Sequence, residues 1–358
     1  MRNTIYSTAK LEDVLCIPDI FSIIEKFWIP HPHWYDTYDR CCMHLAATCK
    51  TLQKNVYANC TYMNLKSKIT SIHILESYVN LNTLMMQCMP NVADFGPLST
   101  FKHLKNLNLR NTKITDIGPL SALVDLNRLG LSETNITDFG PLSAFVKLTE
   151  LDIACTKITD IGPLSALVNL QNLDLCFTNI TDIGPLSALV DLQNLDLCFT
   201  NITDIGPLSA LVNLQNLDIE NTKITDIGPL SKLVHLQILR LENTKITDIA
   251  PLSTLVKLTE LDMCETDITD IGPLSALVDL QSLDLRLTYI TDIGPLSKLV
   301  HLQILHLENT KITDIAPLST LVKLTKLNLA RGGMRAILMT DVHVLSLLRK
   351  NGCICRFV

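Results

Sequence analysis

Aspartates recur along this chain at a regular spacing that could build a metal site. One stands in each near-copy of the stretch "ITDIGPLSALV" that begins at Ile114. Carboxylate oxygens are the ligands that calcium prefers, so a ladder of calcium ions is one interpretation. However, the "GGxGxD" pattern of calcium-binding solenoids is absent, and a tight corner needs acceptors for backbone N–H groups. We therefore interpret these corner aspartates as structural. They are Asp94, Asp116, Asp138, Asp160, Asp182, Asp204, Asp226, Asp248, Asp270, Asp292 and Asp314.

Histidines and cysteines near the N-terminus form a second set with possible metal chemistry. Their spacing contains no C-x-x-C pair, the usual signature of a zinc site. The set is therefore interpreted as packing or surface residues, and no metal site or cofactor is predicted. Its members are His31, His33, Cys41, Cys42, His44 and Cys49.

Motifs of known enzyme classes do not occur in the sequence. It contains no ordered Ser-His-Asp set, no glycine-rich phosphate loop and no H-E-x-x-H motif. His235 and His301 stand at the same position of two longer near-copies, so duplication explains them better than catalysis. The sequence predicts that this protein is not an enzyme.

The repeat itself indicates which elements must hold these residues. Prolines at a constant 22-residue spacing, from Pro97 to Pro317, define eleven copies, and each copy will be called a rung. Leu107 and Leu109 alternate as residues of a short strand do, and Pro119 suits the first turn of a short helix. One rung buries too little apolar surface to fold alone, so rungs must stack and pair their strands. The side chains predicted to face the interior are Leu104, Leu107, Leu109, Ile114, Ile117, Leu120, Leu123 and Val124.

The pattern L-x-x-L-x-L-x-x-T-x-I-T-D-I-x-P-L-S-x-L, over roughly residues 62–335, resembles the leucine-rich repeats. The 22-residue repeats of internalin-like and phosphatase-regulator-like proteins are the most similar kind. The resemblance implies an α/β solenoid, a right-handed array with a parallel β-sheet on its concave face. Where the family carries Asn, this chain has Thr, as at Thr112, and we expect its hydroxyl to bond to backbone and form a threonine ladder.

The two ends of the chain depart from the repeat and set the predicted boundaries. Residues 1–60 form an N-terminal helical segment, residues 61–335 the solenoid and residues 336–358 a C-terminal cap. The cap is predicted as a helix that begins after Thr340 or Asp341, followed by a strand from Cys353 to Val358.

The order "LCIPDIFSII", a gap, then "LAATCKTL" in the N-terminal segment resembles an F-box. In that family the segment docks on the Skp1 adaptor of a cullin ubiquitin ligase. The alternative is a helical cap that shields the array and recruits nothing. The resemblance implies that the adaptor would contact Ile17, Pro18, Ile20, Ile23 and Ile24.

The variable positions of the strands are predicted to face outward, where a partner could lie across several rungs. Six of eleven residues between the strand leucines are Asp, and stacked carboxylates repel unless a cation or a partner neutralises them. Cysteines and phenylalanines beside them predict a small apolar patch, although duplication of a rung would also explain the doubled Phe. The candidate partner-binding residues are Asp152, Asp174, Cys176, Phe177, Asp196, Cys198, Phe199, Asp218, Arg240, Asp262 and Asp284.

Charge and composition narrow the class of partner and the compartment. The net charge of −6 argues against binding to nucleic acid through a general excess of Lys and Arg. The sequence has no apolar run long enough for a membrane span, and its first residues lack the uninterrupted apolar segment that is typical of a secretory leader. Its 12 cysteines lack framework spacing and are predicted to be free thiols. We expect a protein of the cytoplasm or nucleus, not secreted, that binds a protein partner with basic and apolar groups.

Two functions fit these observations. The first is an F-box-like substrate receptor that holds a target on the concave face and recruits a Skp1-cullin ubiquitin ligase. The second is a stand-alone leucine-rich repeat scaffold or phosphatase-type regulator with a helical N-terminal cap.

Overall fold

The computed structural model describes residues 60–65, 69–329 and 342–357. The chain divides into two compact units at Ile158 and Thr159. In each unit, short parallel strands alternate with single turns of 3₁₀-helix, which fits the predicted right-handed solenoid. No helix within the described ranges is long and apolar enough to cross a membrane.

The first unit pairs five strands side by side in chain order, all parallel. Its strands are β1 (Tyr62–Asn64), β2 (Thr83–Met85), β3 (Asn106–Asn108), β4 (Arg128–Gly130) and β5 (Glu150–Asp152). Its 3₁₀-helices are His73–Ser77, Gly96–Thr100, Gly118–Ala122 and Gly140–Ala144. Tyr62 pairs with Thr83, one position short of the regular period, and Thr83 pairs with Asn106, one position beyond it. The spacing of the first rungs therefore departs by one residue from the 22-residue period.

The second unit pairs nine parallel strands, again in chain order. They are β6 (Asn172–Asp174), β7 (Asn194–Asp196), β8 (Asn216–Asp218), β9 (Ile238–Arg240), β10 (Glu260–Asp262), β11 (Ser282–Asp284), β12 (Ile304–Leu307), β13 (Lys326–Leu329) and β14 (Ile354–Phe357). Its 3₁₀-helices are Gly162–Ala166, Gly184–Ala188, Gly206–Ala210, Gly228–Lys232, Ala250–Thr254, Gly272–Ala276, Gly294–Lys298 and Ala316–Thr320. An α-helix, α1, spans Val342–Lys350.

The interior of the rungs is a stack of mostly aliphatic side chains. In the rung that carries β6, the side chains of Leu170, Leu173, Leu175, Ile180 and Ile183 are all buried, and the strand register sets Leu173 beside Leu195 of the next rung. One inward prediction is wrong, because Val124 is 51% exposed. Leu123 already fills the interior where the 3₁₀-helix ends, so the next residue in the turn faces solvent. The valines at the same position of later rungs are likewise exposed.

Two recurring polar residues hold the corners, as the sequence predicted. Oδ1 of every corner aspartate accepts the N–H two residues on, over 2.7–2.9 Å, as Asp182 does from Gly184. Each repeated Thr is confirmed to bond to backbone, donating its hydroxyl to the carbonyl three residues back, as Thr178 does to Leu175 over 2.7 Å. These threonine bonds lie within one rung, so the repeated Thr is not a ladder between rungs.

The C-terminal cap is a helix followed by a strand, as predicted. In α1, the side chains of Val344, Leu345 and Leu348 are buried, and Gly352 adopts a φ of 89° in the turn that follows. The strand β14 then pairs parallel to β13 and covers that edge of the sheet. The predicted helix-capping residues, Thr340 and Asp341, lie outside the described residues.

Candidate functional site on the outward strand face

The outward face of β6, β7 and β8 presents two polar columns on either side of the buried strand leucines. Asn172, Asn194 and Asn216 form the first column, where the amides of Asn194 and Asn216 each donate to the side-chain oxygen of the Asn in the preceding rung. Asp174, Asp196 and Asp218 form the second, because the register sets each directly beside the next. This amide ladder was not among the predicted features, although Asn recurs in the sequence at the 22-residue spacing.

The strand aspartates are half-buried and anchored to their own rung. Oδ1 of Asp196 accepts the N–H of Cys198 over 2.9 Å, and Asp174 and Asp218 make the same bond with the residue two positions on. Burial raises the pKa of Asp196 to about 6, and repulsion from Asp218 and Asp174 adds to it. Burial also raises the pKa of Asp218, although Arg240 opposes the shift. Burial is thus the larger cause of the high pKa, with the predicted repulsion second.

Arg240 interrupts the column of strand aspartates. The aspartates on its two sides differ in how far a nearby arginine neutralises their charge. An Arg240 guanidinium nitrogen lies 3.5 Å from Asp218, and the strand of Arg240 lies between those of Asp218 and Asp262. Burial, followed by the charges of Asp284 and Glu242, raises the pKa of Asp262 to about 6. Asp284, in contrast, is neutralised by Arg286, whose guanidinium nitrogens lie 2.7–2.9 Å from its carboxylate oxygens.

Glu220 belongs to this site and was not among the predicted residues. Burial is the main reason that its pKa is raised to about 7, and the charges of Asp218, Glu242, Asp262 and Asp196 add to the shift. Glu220 stands at the same position of its rung as Cys176 and Cys198 do in theirs, so the sequence already showed an acidic residue next to the strand aspartates. Its side chain adds a further negative charge beside the strand aspartates.

The two cysteines of the predicted patch form a disulfide between neighbouring rungs. Cys176 and Cys198 are bonded, so the expectation that all cysteines are free thiols is wrong for this pair. The stacking of β6 on β7 places their Cα atoms 4.7 Å apart, within the range that a disulfide can bridge. Cys264, at the same rung position, has no cysteine beside it and is a free thiol, whose pKa burial raises to about 12.

Two phenylalanines stack beside the disulfide and face solvent. The rings of Phe177 and Phe199 are 4.2 Å apart and nearly parallel, and 53% and 42% of their respective surfaces are exposed. Both residues adopt a left-handed backbone, with φ of 55° and 52°, a conformation that is costly for bulky side chains. The predicted apolar patch is therefore present, and its two aromatic residues occupy unfavourable backbone positions.

Asp152, the remaining predicted aspartate, lies in the first unit. Its Oδ1 accepts the N–H of Ala154 over 3.1 Å, and its Oδ2 accepts the hydroxyl of Ser132 over 2.7 Å. The predicted adaptor-binding residues, from Ile17 to Ile24, lie outside the described residues, as does the histidine and cysteine set between His31 and Cys49.

Comparisons with known proteins agree with this architecture. The family model described as leucine-rich repeats (2 copies) matches residues 102–144, 124–166, 168–210, 212–255 and 256–298. No curated protein matches the chain in sequence.

Among solved structures, an internalin (inlF) from Listeria monocytogenes is 30% identical, with a TM-score of 0.70 over 76% of this chain and 87% of that one. The functional domain of InlJ from Listeria monocytogenes, which includes a cysteine ladder, is 22% identical, with a TM-score of 0.64 over 82% of this chain and 69% of that one. The plant peptide hormone receptor RGFR1, solved in complex with RGF2, is 18% identical, with a TM-score of 0.61 over 75% of this chain and 46% of that one. The latter two show likeness of fold.

Leucine-rich repeat proteins act as scaffolds for protein interaction, and the matched family is not one of catalysts. More than half of this chain matches the family model, and the internalin likeness extends over three quarters of it. The chain belongs to the leucine-rich repeat family.

Proposed function

We propose that this protein binds a protein segment carrying basic and apolar groups on the outward face of β6 to β11. The observation that carries the proposal is the row of half-buried carboxylates next to an exposed, stacked aromatic pair. Interfaces combine buried charge complementarity with aromatic anchors, and this face offers both within neighbouring rungs.

The electrostatics of the face favour a cationic partner. Burial makes the ionised forms of Asp196, Asp262 and Glu220 unfavourable in the free protein, as their raised pKa values record. A lysine or arginine side chain placed among these groups brings the opposite charge and lowers that cost. The partner would therefore bind more weakly at high salt and at low pH.

The aromatic pair supports an apolar anchor on the same partner. Phe177 and Phe199 expose ring surface that neither core packing nor the 22-residue pattern requires. The alternative is that the second phenylalanine is only a copy from rung duplication, since the two rungs are almost identical. Replacement of both residues by Ala distinguishes the two, because a copied pair without function would leave affinity unchanged.

A direct test uses synthetic peptides in which spaced Lys or Arg residues flank an apolar side chain, with binding measured by fluorescence anisotropy. The variant Asp174→Asn, Asp196→Asn, Asp218→Asn should bind at least about tenfold more weakly. The matched control, Asp182→Asn, Asp204→Asn, Asp226→Asn, removes the same charge from exposed corners and should change affinity less than about twofold. Equal losses in both variants would mean that the peptides respond only to net charge.

We extend the proposal to the N-terminal segment on the strength of its sequence resemblance. As an F-box-like substrate receptor of the cytoplasm or nucleus, the protein would engage a Skp1-type adaptor through Ile17, Pro18, Ile20, Ile23 and Ile24. The alternative is a stand-alone scaffold or phosphatase-type regulator whose N-terminal segment is only a cap.

Co-purification of the full chain with a Skp1-type adaptor separates the two alternatives. Replacement of Ile20 and Ile23 by Asp should abolish the association while peptide binding to the strand face persists. If the unmodified full chain does not capture the adaptor, the ligase proposal is wrong and the scaffold remains.

A further inference from the structure

The disulfide of the second unit lies among carboxylates. The sulfurs of Cys176 and Cys198 and a carboxylate oxygen of Asp196 lie within 4.8 Å of one another. A second group, Cys198, Asp218 and Glu220, meets the same limit and shares the Cys198 sulfur. Four further potential ligands from three successive rungs therefore lie around the Cys198 side chain, which is only 6% exposed.

The geometry suits a small, thiophilic divalent ion. Tetrahedral zinc takes Cys sulfur at about 2.3 Å and carboxylate oxygen at about 2.0–2.2 Å, which puts neighbouring ligand atoms roughly 3.3–3.8 Å apart. The two sulfurs are covalently bonded in this structure, and the Asp196 oxygen lies within 4.8 Å of both. Reduction followed by rotation about the side-chain bonds would bring the three atoms to this spacing. Calcium, which takes six to eight oxygen ligands, and magnesium, which demands an octahedron of oxygens, do not fit a site centred on two sulfurs.

The stacking of the rungs positions Cys176, Cys198 and Asp196 before any ion binds. Strand pairing fixes the separation of Cys176 and Cys198, and the N–H of Cys198 holds Oδ1 of Asp196 at 2.9 Å. No other hydrogen bond to Asp196 is present among the described residues, so its Oδ2 is available as a ligand. An ion there would also place positive charge beside the otherwise repulsive strand aspartates.

We propose that, once the disulfide is reduced, Cys176, Cys198 and Asp196 bind one Zn²⁺, with the fourth position taken by a carboxylate of the adjoining rung or by water. A phosphine reductant supplies two electrons and takes the oxygen of one water molecule. The S–S bond breaks, and the two protons of that water give two thiols. Binding of Zn²⁺ then releases both thiol protons to solvent, leaving two thiolate ligands. Oxidation to the disulfide removes both sulfur ligands, so the site binds metal only in its reduced state.

The test titrates the full chain with Co²⁺ and then displaces it with Zn²⁺, after phosphine reduction and anaerobic removal of the reductant. The reduced protein should show a thiolate-to-cobalt charge-transfer band that saturates with one ion assigned to this site. Cys176→Ser and Asp196→Asn should each weaken binding of that ion at least about tenfold. Cys353→Ser is the matched control, because its sulfur lies 3.9 Å from that of Cys355 in a separate pair.

The outcome does not depend on partner binding, and the far-ultraviolet circular dichroism of each variant reports whether it remains folded. Cys353→Ser should retain the ion that Cys176→Ser loses. The proposal is overturned if the reduced protein binds no Co²⁺, if Cys176→Ser binds it as tightly, or if the oxidised protein gives the same titration.

Discussion

Two aspartate columns run through the same rungs of this protein, one at the corners and one on the strands. Both use Oδ1 to accept an N–H two residues on, as Asp182 does from Gly184 over 2.7 Å and Asp196 from Cys198 over 2.9 Å. The corner carboxylates are exposed, whereas those of Asp174, Asp196 and Asp218 are half-buried. Hydrogen bonding therefore explains why both positions favour Asp, and burial distinguishes the column that a partner would recognise.

Variation between rungs separates the two columns in the same way. The corner position carries Asp in all eleven copies, while the strand position also accepts Asn108, Gly130, Arg240 and His306. An acceptor required for each corner leaves no room for change. The strand position tolerates residues without that acceptor, so its composition is free to follow what lies outside the sheet.

The largest effect should come from removing the corner acceptors. We expect Asp182→Ala, Asp204→Ala, Asp226→Ala to lower the free energy of unfolding by about 3 kcal/mol, because each change leaves one glycine N–H without its side-chain acceptor. Urea denaturation measures the loss. The same three positions changed to Asn keep an acceptor oxygen and should lose little. If Ala and Asn variants are equally unstable, charge rather than hydrogen bonding holds the corners.

The second-largest effect should be a dependence of stability on pH that is caused by the buried strand carboxylates. Asp196 and Asp262, with pKa values near 6, and Glu220, near 7, bind protons more tightly in the folded chain than when unfolded. Their contribution to stability is therefore complete below about pH 4 and is lost as pH rises towards 7. After allowance for solvent screening we expect a loss of about 2 kcal/mol, measured by urea unfolding across this range.

Peptide binding should change in the opposite direction over the same window. Protonation below pH 6 removes the charge that a basic partner needs, so affinity falls as the fold becomes more stable. A stability profile that is flat from pH 4 to 7 would show that the strand carboxylates are solvated like those at the corners.

A single substitution within one rung separates the effect of the buried charge of Asp196 from that of its hydrogen bond. Asp196→Asn keeps the oxygen that accepts from Cys198, as Asn108 does for Arg110 over 2.9 Å, and removes the buried charge. We expect it to raise the free energy of unfolding at pH 7 by about 1 kcal/mol, a gain that disappears near pH 4. The exposed counterpart, Asp204→Asn, should change stability by less. Thermal melts at both pH values measure the difference.

The smallest expected effect concerns the left-handed positions that follow the strand column. Asn occupies this position at Asn221, Asn243 and Asn309, whereas Leu287 has a φ of 56°. Leu287→Asn should stabilise the protein by about 0.5 kcal/mol, because Asn tolerates this backbone better. Phe199→Asn gains the same relief but loses the ring stack, so its net change should be near zero. Calorimetry of both variants compares them, and a gain in Phe199→Asn equal to that in Leu287→Asn would mean that the stack contributes nothing.

Most of the fold followed from local pattern because each rung repeats the same constraints. Inward leucines such as Leu173, corner aspartates such as Asp182 and the final helix and strand were all predictable from spacing and residue type. Val124 was misassigned because apolar character alone does not tell which side of a turn a residue faces. The amide ladder of Asn172, Asn194 and Asn216 was not predicted, because its bonds depend on the contact between neighbouring rungs and not on residue type alone.

The residues of the candidate site could be predicted from the sequence, but their pKa values, backbone conformations and covalent bonding could not. Asp196 and Phe177 were identified from their variation between rungs, yet no pattern indicates a pKa near 6 or a left-handed backbone at a phenylalanine. The disulfide between Cys176 and Cys198 was not predicted, because only the stacking of neighbouring rungs brings cysteines 22 residues apart into contact.

The 22-residue period, the mostly aliphatic interior and the corners follow from the amino-acid sequence alone, because they depend on residues within one rung and on near-copies of it in the adjacent rungs. The burial of the strand carboxylates, the contacts between sulfurs and between rings, and the charge around them depend on the tertiary structure. Those properties arise from side chains of successive rungs converging at one place, where desolvation and mutual contact act on groups that lie one full rung apart in the chain.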